Sequence, residues 1–325
     1  MIYKTRIRAV MCASLLASTL GVIAGFQLIG TSRDYDNYLY FFQAISELSS
    51  FEIFEYRFEP GFTALTYALV NANLEAAAIY TVFATLALFT KIWALKDLKN
   101  YWVALLLFLV FYLGRYFTLF EMTVLRAALA FSIGFFVFMN RSDSGYQAKD
   151  VLLLGIAITM HFSALIFIPI YIYTPKNRYQ VISAALIFFI MAASIKEVAL
   201  SLLPNVFVVI ATYDEFNEAS TLLPKPMILD IAFLAFMLYK WRFADAAMKT
   251  SVYGFSIGLA FHFSMVDYSI LASRFRELLS LFLLIYVVRS MDCTSKITRV
   301  TSIGYAILSS ALHLYTTHIH DPLLT

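Results

Sequence analysis

Apolar runs long enough to cross a bilayer recur from one end of this 325-residue chain to the other. A spanning helix takes about 17 to 25 mostly apolar residues. Segments at approximately 9–29, 61–73, 76–95, 101–117, 120–139, 150–172, 180–203, 226–240, 250–267, 270–288 and 298–316 are candidates, 61–73 being the shortest. Charged residues make up 14% of the chain, against roughly 25% in a soluble domain, so a water-soluble globule of this size would lack polar surface. Backbone polar groups in lipid must be satisfied internally, which leaves helices as the spanning element for runs of this length. The expectation is an all-α, polytopic integral membrane helix bundle of about 9–11 transmembrane helices, with room for broken or re-entrant segments.

Charge placement sets the expected topology. Lys4, Arg6 and Arg8 precede the first run, which reads as an uncleaved helix with a cytoplasmic N-terminus. The segment after it carries Asp34, Asp36, Glu47, Glu52, Glu55 and Glu59 against Arg33 and Arg57, as an outer loop would. Basic clusters at Lys91, Lys96 and Lys99, at Lys176 and Arg178, at Lys240, Arg242 and Lys249, and at Arg289, Lys296 and Arg299 belong in the cytoplasm. The number of crossings then conflicts with the number of runs. Two runs separate the outer loop from Lys96 where an odd number is needed. Three separate Lys99 from Lys176 where an even number is needed. Either 61–73 and 150–172 do not fully cross, or a charge cluster lies on the wrong side. With no internal repeat or long linker, residues 1–325 read as one membrane domain whose larger outer-face loops are 31–60 and 204–225. Cys12 and Cys293, in an apolar run and a basic loop, are expected to be free thiols.

Ionisable residues inside apolar runs are costly and need a reason. Arg126 sits among Ala127, Ala128 and Ala130, small residues that let a helix or ligand come close; a structural ion pair with Glu121 is the alternative. His161 lies mid-run and can accept a proton if water and a hydroxyl reach it. His262 reads as a packing residue, and His318 and His320 as a solvated tail rather than a metal site. Arg274 and Arg276 flank Phe275 near the last outer turn, where guanidinium forks suit diphosphate oxygens. Asp34 and Asp36 form a D-x-D that can hold a cation or a sugar hydroxyl. Tyr35, Tyr38, Tyr40 and Tyr56 suit either sugar stacking or an interfacial belt.

Taken in order, Asp34-Tyr35-x-x-Tyr38, Glu59-Pro60-Gly61-Phe62, Leu125-Arg126-x-x-Leu129-Ala130, His161-x-Ser163-Ala164-Leu165 and Ser273-Arg274-Phe275 resemble the EpsG/Wzy-type polysaccharide polymerases of bacterial cell surfaces. The resemblance covers nearly the whole chain; Ala127 departs from it, where such sequences often carry glutamine. It implies glycosyl transfer on the outer face of the bacterial inner membrane, between undecaprenyl-diphosphate-linked oligosaccharides. The acceptor hydroxyl attacks the anomeric carbon and the lipid diphosphate leaves. In that reading His161, Arg126 and Arg274 are catalytic, while Asp34, Tyr38, Glu59 and Arg276 bind substrate. A carboxylate, Asp34 or Glu59, is the alternative base. No cofactor, metal or nucleic acid is implied, and a chain-length regulator is a candidate partner. The rival readings are a flippase or other transporter of the same lipid-linked glycan, and a glycan ligase. A membrane acyltransferase would also use an intramembrane histidine, but several arginines suit a diphosphate better than a thioester.

Overall fold

The computed structural model describes residues 2–48, 58–141, 147–202, 223–317 and 324. Apart from one bridge between Ser32 and Leu324, helix is the only regular structure among them. The all-α expectation holds. Helix after helix turns large apolar side chains outward: Met11 and Leu15 on the first, Leu186 and Ile190 on a later one, Ile307 and Leu308 on the last. Faces of this kind need a lipid solvent. The chain divides into two compact units, Met1–Ile172 with Ala306–Thr325, and Tyr173–Tyr305.

In the first unit, α1 (Ile2–Gly25) packs antiparallel on α4 (Ala76–Trp93). Gly21 and Gly25 allow the contact: a β-carbon on Gly21 would lie 3.0 Å from the Thr85 nitrogen, and one on Gly25 2.9 Å from the Ala77 oxygen. This is small-residue packing at a four-residue spacing.

The segment expected as an outer loop contains α2 (Tyr35–Ser46), followed by α3 (Pro60–Asn71). Acidic residues mask its pattern, yet Tyr38, Phe41, Phe42 and Ile45 are buried and fall on one helical face. Tyr35 begins beside Gly25, donating from its hydroxyl to the Gly25 oxygen at 3.0 Å. Farther along, Phe42 packs on Phe83, and Phe62 of α3 meets the same ring at 4.9 Å. α2 therefore runs along α4 away from its Ala76 end, and α3 runs back toward that end. Residues 49–57, and with them Glu52, Glu55, Tyr56 and Arg57, lie outside the described residues.

After α5 (Tyr101–Arg115), the expected 120–139 helix is two elements: a π-helical turn Thr118–Thr123 and α6 (Leu125–Met139). α6 runs parallel to α4. Tyr80 donates to the Met122 oxygen, Lys91 reaches the Ala128 oxygen, and Lys96 lies 5.4 Å from the Phe136 ring centre. Lys91 is thus not a loop-flanking charge. It is fully buried within α4 and paired with Glu121 at 2.6 Å, and this corrects its place in the cytoplasmic cluster.

The 150–172 run is broken at His161. α7 (Ala148–Met160) ends there in extended backbone, and a 3-10 segment Phe162–Ile166 leads into α8 (Phe167–Ile172). The two limbs fold back on each other. The Tyr171 hydroxyl donates to Asp150 at 2.9 Å and accepts from the Gln147 N–H at 3.1 Å, so the last turn touches the first. Gly134 and Phe138 of α6, and Arg141 just past its end, meet Phe167, Phe167 with Tyr171, and Tyr171 in that order. The return limb therefore descends beside α6. Each limb is about 20 Å long, short of a ~30 Å hydrocarbon core.

The second unit holds α9 (Arg178–Leu202), α10 (Lys225–Tyr239), α11 (Ala246–Ser264), α12 (Ser269–Leu279), α13 (Leu281–Arg289) and the first part of α14 (Lys296–Tyr315). The expected 270–288 helix turns at Ser280. Gly254 and Gly258 of the buried α11 accept Phe282 and Leu279 at close range. Asp230 accepts from Tyr305 at 2.6 Å, and Asp245 caps α11 while taking two Arg289 donors on one oxygen. The 204–225 loop lies mostly outside the described residues.

Candidate functional site

Pro60 starts α3 at a helix position where its missing N–H costs nothing, and holds Glu59 in extended backbone at the cap. Gly61 then lets α3 approach α7, for a β-carbon there would meet the Thr159 oxygen at 2.9 Å. Phe62, wholly buried against Phe41 and Phe83, anchors the turn. The four-residue motif thus aims the Glu59 carboxylate between α6 and the break after α7.

Glu59 uses both oxygens. Oε2 takes Arg126 Nη1 at 2.5 Å; Oε1 lies 2.8 Å from His161 Nδ1 and accepts the Phe162 N–H at 3.3 Å. Burial alone would raise this carboxyl, but the His161 hydrogen bond and the Arg126 charge outweigh it and bring it down to about 2. An ionised Glu59 can only accept, so His161 Nδ1 donates the hydrogen between them.

Arg126 lies in the first turn of α6. Its backbone N–H donates to the Tyr38 hydroxyl at 3.4 Å, and the Phe58 ring covers its guanidinium at 4.0 Å. Its Nε is buried with no hydrogen-bond partner among the described residues. The side chains of Arg126 and His161 keep 22% and 23% of their exposure, against 5% for Glu59. A ligand can therefore reach the arginine and the histidine, while the carboxylate stays behind them. A guanidinium at a helix N-terminus, where backbone N–H groups add partial positive charge, is built for an anion.

The structure thus brings Tyr38, Glu59, Arg126 and His161 together. Asp34 stands at the cap of α2, partly buried, without a side-chain capping bond, and Asp36 is exposed in the helix's first turn. No group of three or more His, Cys, Asp or Glu placed to hold a metal occurs among the described residues. Arg274 and Arg276 belong to α12 in the second unit. Arg274 is exposed; Arg276 approaches Glu277 at 3.9 Å and the Met227 sulfur at 3.8 Å. His262 is buried in α11 with its ring against Phe263, and His318 and His320 lie outside the described residues. Cys12 and Cys293 are free thiols. Glu121 does not pair with Arg126: it takes Lys91 on one oxygen and the Tyr112 hydroxyl on the other.

The sequence matches the EpsG family over residues 10–323. The chain belongs to the EpsG family. That family is a Wzy-type polysaccharide polymerase family, so this is a membrane protein with a polysaccharide-polymerase type of role. No curated protein and no solved structure matches the chain. In this EpsG-family member, Arg126 and His161 come from separate parts of the chain and converge on the Glu59 carboxylate, with the Tyr38 hydroxyl on the Arg126 backbone N–H.

Proposed function

We propose that this protein polymerises undecaprenyl-diphosphate-linked oligosaccharide repeat units by glycosyl transfer on the outer face of the bacterial inner membrane. The observation that carries the reading is the double engagement of Glu59, which holds a partly exposed imidazole and a partly exposed guanidinium side by side on one buried carboxylate.

The chemistry follows from the roles. The acceptor sugar hydroxyl attacks the anomeric carbon of the donor glycan. The new carbon–oxygen bond forms as the bond to the lipid diphosphate breaks, and the diphosphate leaves with the electron pair. The hydroxyl proton passes to His161 Nε2, whose imidazolium is steadied by Glu59 through Nδ1. Arg126 and the first turn of α6 stabilise the charge gathering on the departing diphosphate. Glu59, with both oxygens occupied, acts as a positioning residue. Tyr38 and Asp34 line the α2 side, where sugar hydroxyls would bind. Arg274 remains a candidate catalytic residue on the strength of the Ser273-Arg274-Phe275 pattern alone, and Arg276, outside that pattern, a candidate substrate-binding residue.

The fold also supports a multi-pass reading with a cytoplasmic N-terminus. If α2 with α3, and α7 with α8, enter and leave on one side each, neither pair counts as a crossing. The charge rule and the number of helices then agree, with Lys96, Lys99, Lys176 and Arg178 together in the cytoplasm. Tyr38 meets Tyr80 in the N-terminal half of α4, the half that this topology would turn outward.

The test is polysaccharide length on a gel, from cells lacking the gene and from cells with it restored. Collapse of a ladder to a single capped repeat unit supports polymerisation. Loss of all surface glycan, with lipid-linked units held in the cytoplasm, would make the protein a flippase instead. In complemented cells Arg126→Ala should give the single-unit product, and Arg126→Lys a partial ladder if charge alone supplies part of the effect.

A further inference from the structure

Lys91, Glu121 and Tyr112 form a second polar cluster, behind the site rather than in it. Lys91 and Glu121 are fully buried, as is Tyr112, and they come from α4, the π-helical turn and α5. Lys91 Nζ donates to Glu121 Oε1 at 2.6 Å, and the Tyr112 hydroxyl donates to the other carboxylate oxygen. Lys91 also donates to the Ala128 oxygen at 3.3 Å and lies 5.4 Å from the Phe131 ring centre, both on α6. Burying an ion pair is costly, and apolar residues of similar size often serve stability as well. Stability alone is a poor account of these three residues.

Their placement offers a better one. The turn they hold is π-helical, with the Val124 N–H reaching the Leu119 oxygen at 2.8 Å and Thr123 Oγ1 the Thr118 oxygen at 2.8 Å. Such turns have poor intrinsic stability and cluster at functional sites. This one ends at Thr123, and its cap, Val124, stands two residues before Arg126. Tyr80 fixes its Met122 carbonyl at 2.6 Å and packs edge-on against Tyr38, which in turn accepts the Arg126 N–H.

We infer that the Lys91–Glu121–Tyr112 cluster is the positioning element for Arg126, clamping the π-helical turn so that the first turn of α6 presents its guanidinium and N–H groups to the ligand. The inference rests on the proposed polymerase reading for its kinetic consequence and on the structure alone for its positional one. The clamp touches no substrate. Arg126 acts chiefly on charge that gathers as the diphosphate departs, so loss of the clamp should lower turnover more than it weakens substrate binding.

The experiment compares the full-length protein with Lys91→Met/Glu121→Gln, which removes both charges and keeps an acceptor for Tyr112, and with Tyr112→Phe, which leaves the ion pair. Each is purified in detergent and given lipid-linked repeat units extracted from the same strain. Amide hydrogen exchange is followed over 124–128. The double variant should hold its thermal midpoint, lose protection at 124–128 while α4 and α5 keep theirs, and drop in kcat about 10²-fold with a smaller change in KM. Tyr112→Phe should shift both readouts in the same direction by less. Parental exchange and parental kcat in the folded double variant would overturn the inference. If the double variant fails to insert, parental values in Tyr112→Phe would overturn it. If the parent itself elongates nothing, the polymerase reading fails, and exchange at 124–128 still decides whether the clamp exists.

Discussion

Gly61 lies so close to Thr159 that a β-carbon on the glycine would stand 2.9 Å from the threonine's carbonyl oxygen. That approach joins α3 to the end of α7 and so sets the gap between Glu59 and His161, now 2.8 Å. The obstacle is backbone, and it cannot rotate away. Gly61→Ala should push α3 outward and separate the pair without unfolding the bundle. Misplacement of about 1 Å near a reacting centre can cost ~10²-fold in rate. Polymer length in cells expressing Gly61→Ala should therefore fall toward the single unit at normal protein levels. A normal ladder would show that the Glu59–His161 contact does not matter to the reaction.

Glu59 also makes a prediction about pH. Its folded value, about 2, lies below that of an unfolded glutamate, so the unfolded chain binds more protons in the interval and stability rises with pH there. The contribution is complete above the unfolded value of about 4.3 and is lost as pH falls toward the folded one. The thermal midpoint of the parent should exceed that of Glu59→Gln by a constant margin near neutrality. The margin should shrink once the pH drops below the ordinary carboxylate range. A margin unchanged down to the most acid pH the detergent tolerates would mean that Glu59 is not held as a paired carboxylate.

How much of this was legible beforehand depends on the range of the interaction. Membrane character and helix follow from local apolar runs, and the break at His161 has a local sign in a polar residue at the centre of a run. Glu59, Arg126 and His161 could be picked out singly because charge in an apolar setting is conspicuous. Their convergence on one carboxylate could not, since the contacts span 67 and 102 residues of chain. Lys91 shows the opposite failure. At the end of an apolar run a lysine that snorkels and one that pairs inside look alike, and the partner is 30 residues away. The π-helical turn leaves no mark on hydrophobic periodicity. α2 was readable, because Tyr38, Phe41, Phe42 and Ile45 keep helical spacing, but the acids around them resemble a loop.

The Gly21–Gly25 spacing on α1 was equally visible, and it predicts a stability effect. α1 and α4 meet backbone to backbone there, with a β-carbon on Gly25 reaching Thr81 nitrogen at 2.8 Å. Gly25→Leu should cost about 1–3 kcal/mol by overpacking and strain. The expected result is a lower thermal midpoint in detergent for Gly25→Leu, with Gly155→Leu, which has nothing within 4 Å, as the control. Equal midpoints for the two variants would mean that α1 does not pack on α4 this closely.

The folded-back limbs at α7 and α8 lead to a prediction about sidedness. Tyr171 touching both Asp150 and Gln147 puts the two ends of the 148–172 segment side by side. A spanning helix would separate them by a full bilayer. Single cysteines placed at Lys149 and Asn177, both exposed, in a Cys12→Ser/Cys293→Ser background, should react with a membrane-impermeant maleimide from the same side of the membrane. A cysteine at Lys99 should join them, because α5 and α6 between it and Lys149 make two crossings. Cysteines at Asn37 and Asn73, at the open end of the α2–α3 pair, should label from the opposite side. Labelling of Lys149 and Asn177 from opposite sides would make α7 with α8 a true crossing, and one of the basic clusters would then have to lie on the outer face.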